Sequence, residues 1–198
     1  MILIVAPHGD DESLGCGGII TKFKATKQEV HWLIGTKENK PYNRVADFLG
    51  IKKIHKLDLV DGKIDTYEFG DIVAKISRVI KTIQPKIVFM PYRYDVHSDH
   101  RIIAEATLAA SKSFRAPYIE SILMYEVPSE TEWASVPFQP NVFQDITPFI
   151  EQKIDAVNEY RLEQHLSGGK IRAVSMMRGA MVDREYAEAY QLVRQIYD

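Results

Sequence analysis

Two groups of histidines and carboxylates carry the residue types that perform hydrolytic chemistry in many proteins. The first, Pro7–Glu12, has the sequence Pro-His-Gly-Asp-Asp-Glu, and the second, Asp95–Arg101, has the sequence Asp-Val-His-Ser-Asp-His-Arg. Adjacent carboxylates repel each other unless a positive charge lies close to them. We therefore predict that the two clusters meet in the folded chain and hold a metal ion.

The predicted metal ligands are His8, Asp11 and His100. His97 and His100 are three residues apart, so in the first turn of a helix they point to nearly the same side. Two imidazoles and one carboxylate with open positions suit Zn²⁺ as a catalytic ion, or Fe²⁺ as a facial triad. The single cysteine, Cys16, provides no thiolate pair for a metal. The expected cofactor is therefore Zn²⁺ or Fe²⁺, and the residues alone do not choose between them.

The other side chains of the two clusters suit catalytic roles. Zinc lowers the pKa of bound water to roughly 7, and we predict that Asp10 is the general base that accepts the water proton. His97 is predicted to stabilise the developing oxyanion and, when protonated, to deliver a proton to the leaving amine. Asp95 or Asp99 is expected to bond the far nitrogen of His97 or His100 and so fix its tautomer. The sequence does not decide which.

Short apolar runs, separated by stretches of helical period, are the elements that must position these clusters. The predicted strands are Ile2–Ala6, Val30–Ile34, Ile54–Leu57, Ile87–Met90 and Ile122–Tyr125. Runs that are apolar throughout are typical of parallel strands covered by helices on both faces. The pattern predicts an α/β fold, a Rossmann-like and mostly parallel sheet in a single domain over residues 1–198. Both clusters follow strand ends, where ligands bind in such sheets.

Helical spacing of apolar residues predicts three of the covering helices. One is expected over Asp71–Ile83, ending before Pro85. A second is expected from Thr147, with proline at its first position, to about His165. The last is expected to begin near Arg184, and residues 127–141, which contain three prolines, are expected to form a long loop near the site.

Several features receive structural interpretations. The glycine-rich segment 15–18 lacks the Gly-x-Gly-x-x-Gly register of a dinucleotide site, so we predict close packing of a helix against the sheet. Cys16 is expected to be a small buried residue. The histidines without a spaced partner, which we expect to be structural or solvent-facing, are His31, His55 and His165.

Charge and hydropathy narrow the class of protein. The 25 Lys and Arg residues nearly balance the 27 Asp and Glu residues, and neither sign forms a long run. We therefore expect a small-molecule substrate and no nucleic-acid partner. No stretch reaches the roughly 18 apolar residues of a membrane span, so a cytoplasmic location is expected. Assembly into a homo-oligomer is compatible with the proline-rich stretch and the short loop at 36–43, which a neighbouring copy can complete.

The sequence resembles the LmbE-like or PIG-L family of N-acetylglucosaminyl deacetylases. The family signatures are His-Pro-Asp-Asp-Glu after strand one and His-Pro-Asp-His later, and further similarity lies in residues 143–147, 178–179 and 186–190. The resemblance implies that His8, Asp11 and His100 bind zinc, that Asp10 is the base and that His97 assists the tetrahedral intermediate. It implies an N-acetylglucosamine derivative as substrate, with the sugar attached to inositol, malate, lipid or antibiotic scaffolds.

The sequence departs from the family in three places. Gly9 and Ser98 replace prolines, which leaves the ligands unchanged but loosens two turns. The loop at 36–43 is shorter than the family loop that lines the sugar pocket. Across this loop Arg44 is matched to an arginine that the family places near its substrate, and Arg178 is a second candidate of that kind.

Two other functions fit the same residues. The short loop is compatible with a non-catalytic sugar-binding module that keeps its metal for structure. The set of two histidines and one carboxylate is also compatible with an Fe²⁺ oxygenase that uses a facial triad. A deacetylase is distinguished from both by the joint release of acetate and a free amine.

Overall fold

The computed structural model describes residues 1–38, 40–160 and 166–197. Within these residues the chain alternates strands and helices. The strands are β1 (Ile2–Ala6), β2 (Val30–Thr36), β3 (Lys53–Leu59), β4 (Ile87–Pro91), β5 (Ser121–Tyr125), β6 (Val142–Asp145) and β7 (Ala187–Gln195). The helices are α1 (Asp11–Ala25), α2 (Tyr42–Leu49), α3 (Phe69–Ile83), α4 (Ser98–Ala110), α5 (Ile150–Glu159) and α6 (Gly168–Ala180). Short 3₁₀ turns occupy Ile64–Thr66, Thr131–Trp133 and Thr147–Phe149.

One seven-stranded sheet has the order β3-β2-β1-β4-β5-β7-β6. The first five strands are parallel, and β7 and β6 are antiparallel additions at one edge. The predicted α/β class and mostly parallel sheet are confirmed. β1 pairs with both β2 and β4, so the chain reverses its direction of winding between β1 and β4. In an open parallel sheet such a reversal creates a crevice at the carboxyl ends of the strands.

Apolar side chains form a layer on each face of the sheet. One layer joins α1, α2, α5 and α6 to the sheet, and the other joins α3 and α4. In α3 the stripe Ile72, Ile76, Ile80 and Ile83 is buried, each aliphatic side chain contributing about 1.5–3 kcal/mol. As predicted, α3 ends at Ile83. Among the described residues no helix is long and apolar enough to cross a lipid bilayer.

The glycine-rich segment packs α1 tightly against its neighbours. A Cβ atom added at Gly15 would lie 2.2 Å from a ring carbon of Tyr125, and one at Gly18 would lie 2.6 Å from Cγ2 of Ile146. Cys16 is fully buried beside them. The structure thus agrees with a packing role for the segment, which holds the start of α1 close to the sheet.

The helix expected from Arg184 is wrong, because this part of the chain is strand β7. β7 fills the edge of β5 as an antiparallel partner and in turn pairs with β6. Apolar residues four apart fit both a helix and every second residue of a strand, and here the ladder with β5 decides the conformation. Helix α6 and strand β6 were not predicted.

The region between β5 and α5 largely follows expectation. Residues 127–141 are irregular apart from the turn Thr131–Trp133. The helix expected from Thr147 begins as a 3₁₀ turn and continues as α5 to Glu159. Its predicted continuation to His165 lies outside the described residues. His31 and His55 contact each other across β2 and β3, with His31 Nδ1 and His55 Nε2 3.1 Å apart, and His31 Nε2 also lies 2.8 Å from Glu29 Oε1.

Candidate metal centre

The two clusters of the sequence lie side by side at the carboxyl end of the sheet. His8 and Asp10 lie between β1 and α1, and Asp11 is the first residue of α1. His97 is the N-cap residue of α4, and His100 lies in the first turn of that helix. Because β1 and β4 are parallel neighbours, both connections cross the same edge of the sheet. The topology therefore joins residues that are about ninety positions apart.

Three donor atoms of His8, Asp11 and His100 form a nearly equilateral triangle. His8 Nδ1 lies 3.2 Å from His100 Nε2, and both atoms lie 3.4 Å from Asp11 Oδ2. Two ligands of a tetrahedral zinc ion, each about 2.0–2.1 Å from it, are about 3.3 Å apart. All three side chains are buried. The spacing and the donor types thus fit a divalent metal ion.

The carboxylates around this triangle raise the pKa values of its two histidines. Burial lowers the pKa of His8, but Asp11 and Asp99 outweigh it and raise that pKa to about 11. Burial likewise opposes a charge on His100, whose pKa is nevertheless raised by Asp11 and Asp95. The site therefore has a strongly negative potential, which attracts protons or a metal ion.

Three carboxylates lie beside the nitrogens of His8 and His100 that point away from the triangle, and one of them is Asp61, with Oδ1 3.1 Å from His8 Nε2. Asp95 Oδ2 lies 3.1 Å from His100 Nδ1, as one of the alternatives expected. Asp99 Oδ2 lies 3.3 Å from His8 Nε2, a pairing that differs from the expected bond to His97 or His100. The backbone explains the difference, since the N–H groups of residues 62 and 64 donate to Asp99 and turn it towards β1. Such partners orient metal-binding imidazoles.

His97 presents a nitrogen to the cavity beside these residues. Its Nδ1 accepts the backbone N–H of Asp99 at 3.2 Å, so a neutral His97 carries its proton on Nε2. Burial lowers the pKa of His97, and the neighbouring His100 and His8 lower it further. The lowered pKa favours the neutral form of His97, whose Nε2–H is a hydrogen-bond donor suited to an oxygen that gains negative charge.

Asp10 lies next to the triangle and is held by a lysine that the sequence did not single out. Lys40 Nζ is 3.0 Å from Asp10 Oδ2 and 3.1 Å from Glu38 Oε1. Burial and Asp11 raise the pKa of Asp10, and Lys40 opposes this. Glu38 and Lys40 belong to the short loop after β2, about thirty residues from Asp10. Only the fold brings this loop to the base candidate.

A cavity of about 170 Å³ opens above the triangle. It contains the five predicted residues His8, Asp10, Asp11, His97 and His100. Polar residues that the sequence did not predict also line it, namely Glu38, Lys40, Asp61, Ser129 and Glu130. They come from connections that follow β2, β3 and β5. The sequence placed residues 36–43 and 127–141 near the site but did not single out these side chains, because isolated polar residues in loops give no periodic or motif-like signal.

The two arginines proposed as substrate contacts lie elsewhere. Arg44 is 69% exposed on α2 and forms an ion pair with Glu159, Nε to Oε2 at 2.7 Å. Arg178 binds both carboxylate oxygens of Glu126, at 2.7 and 2.6 Å. Neither arginine lines the cavity among the described residues. For Arg44 the reason is the early start of α2, which buries Tyr42 and turns residue 44 outwards.

Comparison with known proteins agrees with this geometry. The sequence is 27% identical over 228 aligned positions to a diacetylchitobiose deacetylase of Thermococcus kodakarensis, covering 99% of this chain and 84% of that protein. It is 25% identical to a Bacillus cereus protein described as a probable N-acetyl-α-D-glucosaminyl L-malate deacetylase 2, covering 81% and 82% of the two chains. Both relatives are named as deacetylases of N-acetylglucosamine compounds.

The fold itself also carries a different reaction. The structure of 4-carboxy-2-hydroxymuconate hydratase from Pseudomonas putida superposes with a TM-score of 0.79, at 18% identity, covering 100% of this chain and 97% of that one. At such low identity the likeness concerns the fold alone, and chemistry must be argued from the site.

The pattern described as GlcNAc-PI de-N-acetylase, or PIG-L, matches residues 3–111. This range is more than half of the chain and runs from β1 through α4, so it contains both clusters and the triangle between them. The chain therefore belongs to the PIG-L family.

Proposed function

We propose that this protein hydrolyses the N-acetyl group of an N-acetylglucosamine-type sugar derivative, with Zn²⁺ held by His8, Asp11 and His100. The carrying observation is that the buried triangle, with edges of 3.2–3.4 Å, shares one cavity with Asp10 and His97. The named activities of the two relatives support the reaction class. The nitrogen and carboxylate donors support zinc, and Fe²⁺ remains the alternative ion.

The chain's own residues divide the reaction between them. A bound zinc ion would supply a Lewis acid that acidifies water and polarises the amide carbonyl. Asp10 accepts a proton from water while the water oxygen bonds to the amide carbon. His97 donates its N–H to the carbonyl oxygen as that oxygen becomes negative. When the C–N bond breaks, the proton on Asp10 passes to the nitrogen, and acetate and a free amine leave.

The test is an assay of both products with metal-free and reloaded protein. The protein is stripped with a chelator and incubated with N,N′-diacetylchitobiose and other N-acetylglucosamine derivatives, with Zn²⁺, with Fe²⁺ or without metal. We expect equal amounts of amine and acetate, released when Zn²⁺ is present. Asp10→Asn should bind the metal but lose about 10²–10⁴-fold in kcat, the usual contribution of a positioned base.

A matched control separates the role of Asp10 from loss of charge. Asp47→Asn changes an exposed aspartate on α2 and should retain full activity. Undiminished turnover by Asp10→Asn would remove the base assignment. Metal binding without release of amine from any derivative would favour the non-catalytic sugar-binding module. Release by the zinc form under strictly anaerobic conditions would exclude the oxygenase.

Other expectations from the sequence stay predictions within this proposal. We propose that one domain over residues 1–198 carries the activity, since both clusters and the antiparallel strands share one sheet. A cytoplasmic location, the absence of a nucleic-acid partner and assembly into a homo-oligomer are likewise predicted.

A further inference from the structure

We infer that the site selects amino sugars whose attached group is uncharged or cationic, such as another amino sugar, and rejects those that carry a carboxylate or a phosphate. This inference rests on the proposed function and narrows its substrate class. The charged side chains that line the cavity carry it.

Carboxylates dominate the cavity wall. The acidic residues that line the cavity are Asp10, Asp11, Glu38, Asp61 and Glu130. Among the described residues that line the cavity, Lys40 is the single lysine or arginine. A divalent ion bound to the triangle would still leave the acidic groups in excess by two charges. An anionic substituent would therefore meet a repulsive field at this site.

The one lysine is already committed to carboxylates. Lys40 Nζ lies 3.0 Å from Asp10 and 3.1 Å from Glu38, and Glu38 is itself fixed by the backbone N–H of Gly9 at 3.1 Å. Two of the three N–H donors of Lys40 are therefore directed at carboxylates, and their negative charges offset its own. A phosphate or carboxylate of the substrate that used the third donor would lie beside Asp10 and Glu38, which would repel it.

The two arginines proposed from the sequence as substrate contacts are also paired away from the cavity. Arg44 pairs with Glu159 and Arg178 pairs with Glu126 in two-oxygen contact. Arginine that faces a substrate anion normally offers its paired N–H groups to it. Neither of these two guanidinium groups lines the cavity.

Two carboxylates of the cavity wall, Asp61 and Glu130, can contact the group that is attached to the amino sugar of the substrate. Asp61 has a side chain 53% exposed, with Oδ1 3.1 Å from His8 Nε2. Glu130 follows Ser129, whose φ of 87° is unusual for a residue with a side chain, in a turn where the Ser129 N–H donates to Glu132 at 2.7 Å. A strained turn that presents a carboxylate to a cavity is typical of a binding segment. Both carboxylates can accept hydrogen bonds from sugar hydroxyls or an ammonium group.

The test compares kcat/KM for three N-acetylglucosamine compounds with the zinc-loaded protein. The first is N,N′-diacetylchitobiose. The second is the same disaccharide with its free amine on the sugar that is not hydrolysed, and the third carries a phosphate in place of that sugar. One unit charge at ~6 Å in a water-like medium changes a rate or affinity by about threefold. Several uncompensated carboxylates should therefore reduce kcat/KM for the phosphate compound by about tenfold or more relative to the neutral one. The free-amine compound should react at least as fast as the neutral one.

Variants and salt locate the origin of the preference. Asp61→Asn and Glu130→Gln should each narrow the gap between neutral and phosphate substrates by about threefold. Raising the salt to about 1 M, where charges are screened beyond ~3 Å, should narrow it as well. Glu151→Gln removes one charge from an exposed carboxylate paired with Arg172 and should leave the gap unchanged. Zinc affinity is measured for each variant, so that an effect through His8 is recognised.

The outcomes separate this inference from the function on which it rests. Hydrolysis of all three compounds with the phosphate compound equal or faster would overturn the inference and leave the deacetylase proposal intact. A gap that persists unchanged in Asp61→Asn, in Glu130→Gln and in high salt would also overturn it. No release of amine from any of the three by zinc-loaded protein would overturn the proposed function and the inference together.

Discussion

Replacing Lys153 with methionine tests the buried ion pair that anchors α1, the helix that begins with Asp11. Lys153 Nζ lies 2.6 Å from Glu188 Oε1 and 2.8 Å from the carbonyl oxygen of Leu14, and both side chains of the pair are nearly inaccessible to solvent. Methionine has a similar length and fills the space without charge. The change therefore leaves a buried carboxylate without its counter-charge.

The expected cost follows from what remains around Glu188. Removing one partner of a buried pair costs about 3–5 kcal/mol. Glu188 keeps three donors, the N–H groups of Gly18 and Ile19 at 2.7 and 2.8 Å and the hydroxyl of Tyr190 at 2.7 Å. These bonds continue to stabilise the charge, so we expect a loss near the lower end, about 3 kcal/mol of unfolding free energy.

The assay is equilibrium unfolding in urea, with the midpoint and slope fitted for each variant. The double variant Lys153→Met with Glu188→Gln should recover part of the loss, since no buried charge is left. Lys170→Met, which removes a partly exposed pair with Glu132, is the control and should cost less than about 1 kcal/mol. A loss below about 1 kcal/mol for Lys153→Met, or a double variant less stable than the single one, would refute the reasoning.

Three further changes test the site, the sheet and the packing of α1. Asp95→Asn should weaken zinc binding about 10–100-fold, because it disturbs the 3.1 Å contact between Asp95 Oδ2 and His100 Nδ1. Competition with a chromophoric chelator measures the affinity, and an unchanged affinity would contradict this prediction. Burial and the nearby His31 lower the pKa of His55 from 6.5 to about 4. Between pH 6.5 and 4 the unfolded chain therefore binds a proton at His55 that the folded chain does not bind. The free energy of unfolding should fall by about 1 kcal/mol as the pH drops through this range, a reduced value because the side chain is partly exposed. His55→Asn should remove this part of the slope in urea titrations across that range, and an unaltered slope would count against it. Gly15→Ala should cost about 1–3 kcal/mol because its Cβ would lie 2.2 Å from a ring carbon of the buried tyrosine on β5, and a variant as stable as the parent would disprove that packing.

The sequence by itself determined the parallel half of the fold and the chemical types at the site. Mostly apolar runs predicted β1, β2, β4 and β5, because strands covered on both faces are rich in apolar residues. The run that predicted the edge strand β3 also contains His55 and Lys56. The placement of the two histidine clusters after β1 and β4 predicted their meeting, because parallel strands share one carboxyl end of the sheet. These signals are local, because each depends only on residues that are close together in the sequence.

Only the tertiary structure decided the rest. β7 is a strand because the free edge of β5 offers it a hydrogen-bonding partner, while its own spacing of apolar residues fits a helix as well. Asp99 bonds His8 because two backbone N–H groups after β3 hold it there. Lys40 reaches Asp10, and Arg44 turns away, through the path of one short loop. Such pairings join distant segments, and their energy depends on distances that exist only after the chain has folded.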